Sequence, residues 1–323
     1  MARIALDAMG GDNAPTETVA GAVDASRRGV DVVLVGRSDL LQAELAKHDT
    51  RLPIVDAPDV IEMGEDAARA LREKPGASIT VAAKLVAEKS ADGMVSAGST
   101  GAAMAAAAII IGRIKGVSRP SIASIFPTPG SPTLVLDSGA NPDVRPDQLV
   151  QFAIMGSVAA EVLLGAADPR VGLLSIGEER GKGRDLERAA YDLLEAAPIH
   201  FVGNLEGRDV ATDRADVIVT DGFTGNIFLK TMEGAAEVIA RYTMDEIHKL
   251  GPEVQEVVIP ALEKVRERLD YETYGGAQLL GVKAVVVISH GASSRVAIGN
   301  ALTMARDASD NDLPGRLAAR LAS

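Results

Sequence analysis

The chain has 323 residues, of which 47% are hydrophobic and 24% are charged, a composition typical of a globular protein with a substantial core. Only 3% are aromatic, so aliphatic residues must form most of that core. The net charge of −12, without any run rich in Lys and Arg, excludes a nucleic-acid-binding protein.

The chain contains no cysteine, which excludes disulfides, thiolate metal sites and a cysteine nucleophile. Its first residues start directly with a strand pattern and carry no feature of a signal peptide, so we expect a cytoplasmic protein. Residues 93–112 are uncharged and about as long as a bilayer span, but glycine and hydroxyl residues at 98–101 interrupt them. A buried strand, a turn and a helix are therefore predicted there.

Short runs of β-branched residues alternate with helical patterns along the chain. The predicted strands are residues 3–8, 32–36, 53–56, 93–97, 133–137, 171–176, 200–203, 217–220 and 284–289. The predicted helices are residues 16–28, 65–73, 79–88, 100–111, 147–164, 184–196, 225–250 and 294–305. This alternation predicts an α/β fold whose mostly parallel sheet is covered by helices on both faces, an α/β/α layered arrangement.

Most of the glycine and polar motifs follow a predicted strand, where ligands bind in such sheets. A single rim of loops around one site is the expectation. Residues 225–270 differ, because they are long, helical and charged, and we expect a helical arm inserted into one folding unit, 1–323. Apolar residues recur at three- and four-residue steps from 247 to 269, with a break at Gly251-Pro252. This stripe predicts either a buried or dimeric interface or a tip that touches a membrane surface.

The motif Ser96-Ala-Gly-Ser-Thr-Gly101 lies between a predicted strand and a predicted helix. Its amides and hydroxyls suit an anion at the positive end of the helix, although such a turn is equally often only a tight connection. The motif lacks both the Gly-Lys-Ser/Thr of a P-loop and the Gly-x-Gly-x-x-Gly of a dinucleotide site. ATP and NAD are thereby disfavoured.

Two lysines can bring positive charge to the same rim. Lys182 lies in the loop Gly177-Glu-Glu-Arg-Gly-Lys-Gly183, and Lys230 follows Asn226 by one helical turn. The alternatives are a solvated loop whose charges pair with each other and an ordinary exposed helix lysine.

His290, in the strand-end motif Ser-His-Gly, is placed to donate to a phosphate or thioester oxygen or to protonate a leaving thiolate; the alternative is a structural histidine. The sequence contains no convergent set of histidines, so a zinc site is not predicted. Asp7, Asp137 and Asp221 end strands and suit either Mg²⁺ or a turn.

Taken together, these motifs resemble the PlsX-type phosphate acyltransferases of bacterial phospholipid synthesis. The chain is similar to that family from residue 7 to residue 291, with Ser99, Pro142 and Ala292 standing where the family usually has Asn, Val and Ser. The matching pieces are Asp7-Ala-Met-Gly-Gly-Asp12, Ser96-Ala-Gly-Ser-Thr-Gly101, Gly112-Arg-Ile-Lys-Gly116, Leu136-Asp-Ser-Gly-Ala-Asn141, Gly203-Asn-Leu-Glu-Gly-Arg-Asp209, Asp216-Val-Ile-Val-Thr-Asp-Gly-Phe-Thr-Gly-Asn226, Leu229-Lys-Thr231, Tyr274-Gly-Gly276 and Ser289-His-Gly291.

The resemblance implies transfer of a long acyl group from acyl-carrier protein to inorganic phosphate, giving acyl-phosphate, without a metal or another cofactor. It also implies a Rossmann-like fold similar to isopropylmalate dehydrogenases and phosphotransacetylases. A homodimer is implied as well, peripherally attached to the inner face of the membrane, where a downstream glycerol-3-phosphate acyltransferase works.

Without a nucleophilic side chain, the simplest chemistry is direct attack of phosphate on the thioester. We expect phosphate to bind Ser99, Thr100, Lys182 and Lys230, and His290 and Asn226 to serve the oxyanion or the leaving group. The candidate catalytic residues are therefore His290, Asn226 and Lys182, and the candidate substrate-binding residues are Gly98, Ser99, Thr100, Gly101, Asn141, Lys230 and Asp221.

Two other functions fit parts of the pattern. One is a metal- and NAD-dependent decarboxylating dehydrogenase of similar fold, for which no nicotinamide pocket or carboxylate set is identifiable in the sequence. The other is a non-catalytic sensor of acyl-carrier protein. Thiol release that requires phosphate separates the acyltransferase from both.

Overall fold

The computed structural model describes residues 1–269 and 271–322. Asp270, the last residue of the predicted arm, and Ser323, the last residue of the predicted folding unit, lie outside the described residues.

One sheet of eleven strands runs through the described residues, in the order β3-β2-β1-β4-β11-β10-β5-β6-β9-β7-β8. Most neighbouring strands are parallel and short, as the alternation of strands and helices predicts. The strands are β1 (Arg3–Asp7), β2 (Asp31–Gly36), β3 (Ile54–Asp56), β4 (Gly93–Ser96), β5 (Ser121–Phe126), β6 (Thr133–Leu136), β7 (Arg170–Leu174), β8 (His200–Leu205), β9 (Val217–Val219), β10 (Ala277–Leu280) and β11 (Val285–Ile288).

Helices cover both faces of the sheet, so the prediction of an α/β/α layered fold is confirmed. The helices are α1 (Thr16–Arg27), α2 (Ser38–Leu45), α3 (Ala67–Glu73), α4 (Ser78–Ala87), α5 (Thr100–Ala106), α6 (Pro146–Leu163), α7 (Asp185–Glu195), α8 (Gly222–Ile247), α9 (Pro252–Leu269), α10 (Arg295–Asp310) and α11 (Leu313–Ala322). Helices α1, α2, α6, α7, α10 and α11 pack on one face, while α3, α4 and α5 pack on the other. The aliphatic composition explains this close layering, because the interior is almost entirely Ala, Val, Ile and Leu.

Two strands that the sequence analysis missed reverse the direction of the sheet. Strand β10 is antiparallel to both β11 and β5, and β5 is antiparallel to β6. The half built from β1, β2, β3, β4 and β11 therefore runs opposite to the half built from β6, β7, β8 and β9. Strand β10 has only four residues, and both missed strands lie beside proline or glycine, which weakens a sequence signal for strands.

Helices α8 and α9 form the arm. Only Gly222, Gly225 and Ile247 of α8 are buried, and α8 contacts α9 and the end of β6. The helical structure of the arm is interrupted between Ile247, where α8 ends, and Pro252, where α9 begins, as the Gly251-Pro252 pair predicts. Pro260 lies inside α9. The apolar stripe is exposed at Leu250, Val254, Val257 and Val265, whereas Ile247 at its start is buried.

Among the residues that the structure describes, no helix is long and apolar enough to cross a membrane. The uncharged segment 93–112 instead forms β4, a turn, α5 and a π-helical turn, Ala107–Ile111.

Candidate active site

The loops after β1, β4 and β11 meet at one edge of the sheet, and we name residues 7–15, 97–101 and 289–293 the first rim. At its base, the Ser96 hydroxyl donates to Asp7 Oδ2 (2.7 Å) and accepts from the amide of Gly98 (3.1 Å). Asp7 is 2% exposed, and its Oδ1 has no hydrogen-bond partner among the described residues. Burial raises the pKa of Asp7, against the effect of hydrogen bonds that favour the carboxylate.

Two loops of the first rim touch each other through their backbones. A Cβ atom on Gly10 would lie 2.6 Å from Asp7 Oδ2 and 2.7 Å from the amide nitrogen of Gly98. No side chain fits at Gly10, which explains the glycine there, while a Cβ on Gly98 would lie 3.3 Å from Asp7 Oδ2 and from Ser96 Oγ.

Helix α5 begins at the first rim. Ser99 is buried and caps the helix, accepting from the amide of Ala102 at 3.4 Å. Its hydroxyl is thus used by the fold, whereas Thr100 and Gly101 are exposed. The first turn of a helix leaves amide groups without intrahelical partners, so Thr100 and Gly101 offer the more accessible anion donors.

His290 is exposed on a loop whose backbone is held firmly. The amide of Ser289 donates to the carbonyl of Ser96 (2.9 Å), and the hydroxyl of Ser289 donates to the carbonyl of Gly275 (2.8 Å). On the other side, the amide of Asp12 donates to the carbonyl of Gly291 (2.7 Å). The loop therefore presents the imidazole from a rigid support.

The loops after β6, β7 and β9 meet at the other edge of the sheet, and we name residues 137–141, 175–184 and 220–230 the second rim. The buried carboxylate of Asp137 accepts from the amides of Ile122 (3.0 Å), Ala140 (3.1 Å) and Asn141 (2.6 Å). Burial raises the pKa of Asp137, and these amides oppose the rise. The Asn141 side chain donates to Asp137 Oδ2 and to the carbonyl of Pro120, both at 2.8 Å. The side-chain amide of Asn141, a predicted substrate-binding residue, thus supports the turn after β6.

Asp221 caps the N-terminus of α8 and pairs with Arg184. It accepts from the amide and the hydroxyl of Thr224 (2.8 and 2.9 Å), and Arg184 also pairs with Glu187. Burial opposes ionisation of Asp221, but these donors outweigh it and lower its pKa. The sequence analysis missed this pair because its members lie 37 residues apart.

Three predicted residues of the second rim remain accessible. Lys182, Asn226 and Lys230 are exposed, and neither lysine forms an ion pair within the described part of the chain. The neighbouring loop cations are engaged, since Arg180 pairs with Asp192 (2.8 Å) and Arg184 pairs with Asp221. The side chain of Asn226 lies beside Gly139, within 3.7 Å of the position of a Cβ there.

The topology divides the predicted site into two groups. Gly98, Ser99, Thr100, Gly101 and His290 lie at the first rim. The others, Asn141, Lys182, Asp221, Asn226 and Lys230, lie at the second. The expectation of a single rim is wrong at the level of the sheet, because β10 and β5 reverse the strand direction between the two halves.

The three strand-end aspartates do not converge. Asp7 lies at the first rim and Asp137 and Asp221 at the second, where backbone amides, Asn141, Thr224 and Arg184 occupy their carboxylates. Within residues 1–269 and 271–322, no group of three or more His, Asp or Glu side chains is arranged to hold a metal ion.

The chain is similar to known proteins along nearly its whole length. Residues 2–316 match the family model described as fatty acid synthesis protein. A phosphate acyltransferase of Heliobacterium modesticaldum is 50% identical over 311 residues, covering 94% of this chain and 93% of that protein. A second, from Acaryochloris marina, is 48% identical and covers 98% of this chain and 94% of its own length.

Solved structures show the same fold at low identity. A phosphotransacetylase from Streptococcus pyogenes superposes with a TM-score of 0.63 at 18% identity, covering 96% of this chain and 94% of that one. A Salmonella typhimurium structure described as a 4-hydroxythreonine-4-phosphate dehydrogenase superposes with a TM-score of 0.52 at 13% identity, with 99% of each chain covered. The predicted kinship in fold with phosphotransacetylases and dehydrogenases is confirmed.

Proposed function

Because the chain belongs to the fatty acid synthesis protein family and is a phosphate acyltransferase by its close relatives, we propose that it moves a long acyl group from acyl-carrier protein to inorganic phosphate. The products are acyl-phosphate and the free thiol of the carrier, and the acyl-phosphate serves phosphatidic acid and phospholipid synthesis. One structural observation carries the proposal. The first rim presents Thr100 and His290, both exposed, on loops held by backbone hydrogen bonds.

In this proposal the two rims face one cleft, although they lie at opposite edges of the sheet. Neighbouring strands twist by about 20–25° per step in a constant hand, and β4 and β9 are five steps apart. At that average twist, the rotation of about 100–125° makes the strand directions of the two halves differ by about 55–80° instead of 180°. Ala140 of the second rim packs against the core cluster that α5 covers, which supports this convergence.

Phosphate binds first at the exposed start of α5, where Thr100 and Gly101 donate hydrogen bonds, and Lys182 or Lys230 supplies positive charge from the second rim. A phosphate oxygen attacks the thioester carbonyl carbon and forms a C–O bond. The carbonyl oxygen becomes an oxyanion, which Asn226 stabilises with its side-chain amide.

Collapse of the tetrahedral intermediate breaks the C–S bond. The protonated imidazole of His290 gives its proton to the departing thiolate, so the carrier leaves as a neutral thiol. The side chains of Asn141 and Asp221 shape the second rim, since both are engaged by protein partners. Their contact with substrate stays a prediction.

The test is a thiol-release assay with acyl-carrier protein, run with and without phosphate. Phosphate-dependent thiol release, with acyl-phosphate trapped by hydroxylamine, is the expected result. Thioester hydrolysis at the same rate with and without phosphate contradicts the proposal. Binding of the carrier without thiol release indicates the sensor. Reduction of NAD with a hydroxy-acid substrate and a divalent cation indicates the dehydrogenase.

The exposed arm supports two further parts of the proposal. The stem of α8 carries exposed Val238, Ile239 and Tyr242, a pattern that suits a second copy of the chain and hence a homodimer. The region where α8 meets α9 carries exposed Leu250 and Val254, which suit the interfacial layer of the cytoplasmic membrane face. Attachment there would pass acyl-phosphate directly to a membrane-bound glycerol-3-phosphate acyltransferase.

A further inference from the structure

The loop that carries Lys182 is tied to its surroundings through other charged side chains, and we name residues 177–184 the lysine loop. Three of its side chains pair with residues outside it: Glu178 with Arg214, Arg180 with Asp192 and Arg184 with Asp221. Lys182 itself is exposed and forms no ion pair within the part of the chain that the structure describes. The fold therefore anchors the loop around one ammonium group that stays available to a ligand.

A single carbonyl closes the turn at the tip of the lysine loop. The amide of Lys182 donates to the carbonyl of Glu179 at 2.9 Å, the spacing of a β-turn. The stem of Lys182 folds back over Gly177, where a Cβ atom would lie 2.9 Å from Lys182 Cγ. The place from which the ammonium group extends thus depends on where the Glu179 carbonyl is held.

Asn204 holds that carbonyl from the neighbouring strand. Its side-chain amide donates to the carbonyl of Glu179 at 2.9 Å, so one oxygen accepts from both Asn204 and Lys182. Asn204 is 3% exposed and lies in β8, where its backbone is in register with Leu173 of β7. The hydrogen bond therefore fixes the turn relative to two paired strands of the sheet.

The other end of the Asn204 side chain is unfavourable for stability. Its Oδ1 atom is buried and has no hydrogen-bond partner among the described residues. A buried carbonyl oxygen without a partner destabilises a fold. An apolar side chain of similar size would avoid that cost, and the Glu179 carbonyl would still accept from the amide of Lys182. The turn that Asn204 holds therefore explains this residue better than packing does.

Asn204 belongs to the motif Gly203-Asn-Leu-Glu-Gly-Arg-Asp209, to which the chemistry proposed above assigns no role. Asp209, the last residue of this motif, contacts Arg214 at 3.1 Å, and Arg214 pairs with Glu178 of the lysine loop at 2.6 Å. Both ends of the motif are therefore connected to the lysine loop, one through a backbone carbonyl and the other through an ion pair.

We propose that Asn204 is a positioning residue for the reaction, because it fixes, through the Glu179 carbonyl, the turn from which Lys182 contacts phosphate. This inference rests on the proposed function for the identity of the anion. Asn204 is too deeply buried to touch substrate, so its effect must pass through Lys182. A misplaced ammonium group weakens phosphate binding, and KM for phosphate should therefore change more than kcat.

The test variant is Asn204→Leu in the full chain, which keeps the size of the side chain and removes its hydrogen bond. KM for phosphate should rise about two- to tenfold, the fold-change that one neutral hydrogen bond supplies, while kcat and the melting temperature stay close to the wild type. The matched control is Asn300→Leu, which removes a similar bond, from a side-chain amide to the carbonyl of Glu272 (3.1 Å), outside both rims. Its KM for phosphate should equal that of the wild type.

Two further measurements separate positioning from a general structural effect. In the double variant Asn204→Leu with Lys182→Ala, KM for phosphate should equal that of Lys182→Ala alone, because Asn204 acts through that lysine. Amide hydrogen exchange in Asn204→Leu should be faster across residues 178–183 and unchanged in the rest of the sheet, because the turn loses one of its two hydrogen bonds.

An unchanged KM for phosphate in Asn204→Leu, an equal rise in the control, additive effects in the double variant or unchanged exchange in the lysine loop overturns the inference. If circular dichroism shows that Asn204→Leu has lost its fold, Asn204→Ser, whose hydroxyl is too short to reach the carbonyl, takes its place. Failure of the proposed function looks different. The wild type would then show no phosphate-dependent thiol release, and the positioning role would fall with it, while hydrogen exchange would still respond to Asn204→Leu.

Discussion

His290 differs from the other rim residues in that its imidazole is exposed while the backbone on both sides of it is tied to neighbouring loops. Such support keeps a proton donor at a constant position relative to the cleft, which is what proton transfer to a leaving thiolate requires. The strand-end carboxylates, by contrast, are buried, with Asp7 accepting from the Ser96 hydroxyl and Asp137 and Asp221 accepting from amides, Asn141, Thr224 or Arg184.

Replacing His290 with Gln should lower kcat by about 10²-fold while leaving KM for the thioester nearly unchanged, because the amide cannot deliver a proton to the thiolate. Steady-state thiol release measures both constants. His200→Gln is the control, since His200 is exposed and pairs with Asp168 (2.8 Å). Normal turnover of the His290 variant would contradict this prediction and would mean that His290 has only a structural role.

Lys182→Ala and Lys230→Ala should each raise KM for phosphate, because each removes a charged contact worth about 1.5–3 kcal/mol, or about tenfold or more in rate at low phosphate. Both side chains are exposed and unpaired, so the fold should be unaffected. Initial rates over a range of phosphate concentrations provide the measurement, with Lys89→Ala as the control. An unchanged phosphate dependence in both variants would exclude the lysines from the phosphate site.

At the scale of elements, the junction between β9 and α8 determines whether the second rim keeps its shape. Asp221 caps α8 and holds Arg184 at the start of α7, so one carboxylate connects two helices. The carbonyl of Asn141 accepts from the amide of Gly222 and joins the turn after β6 to the same point. The positions of Asn226 and Lys230 therefore depend on this junction.

Asp221→Asn should lower the free energy of unfolding by about 1–3 kcal/mol at pH 7, because the amide retains the cap but loses the charged bond to Arg184. The folded-state pKa of Asp221 is lowered, so the stabilisation is present above the unfolded pKa and lost as the pH falls through the folded pKa. The difference between variant and wild type should therefore shrink in acid.

Urea denaturation at neutral and acidic pH tests this prediction. Asp185→Asn is the control, because Asp185 is almost fully exposed and pairs with Arg188 on the surface. A difference that stays constant with pH would mean that ionisation of Asp221 does not support the junction.

The arm is the other element with a testable role. Val254→Glu with Val258→Glu should reduce co-sedimentation with anionic lipid vesicles and leave activity on soluble substrates intact, because burial of a few apolar side chains, worth about 1.5–3 kcal/mol each, gives only weak attachment. Glu253→Gln with Glu256→Gln is the control on the same helix. Loss of the fold or of a dimer would assign the stripe to a protein interface instead.

At the scale of the whole molecule, α8 extends from the body with most of its length uncovered. Its stem exposes Ile239 and Tyr242, at 65% and 68%, on a helix that touches little of its own chain. Uncovered apolar surface of this kind is costly in water and is commonly buried by association.

We therefore expect the chain to be a homodimer, with about twice the 33.5 kDa mass of one chain in light scattering. Ile239→Glu with Tyr242→Glu should dissociate it, because two charges would enter an apolar contact. Arg241→Glu, on the same stem, should have a much smaller effect. A monomeric wild type would contradict this prediction and would mean that the exposed stem of α8 binds a different partner.

The sequence by itself determined the layered α/β fold, the loops that carry the predicted site residues, the break at Gly251-Pro252 and the family, because these depend on local periodicity and on motifs of adjacent residues. Only the tertiary structure decided that the predicted site falls into two rims. That division depends on β5 and β10, whose direction is set by pairing between strands distant in the chain. The same holds for Asp221 and Asn141: their carboxylate and amide are engaged by Arg184 and Pro120, and such partners are chosen by packing in three dimensions.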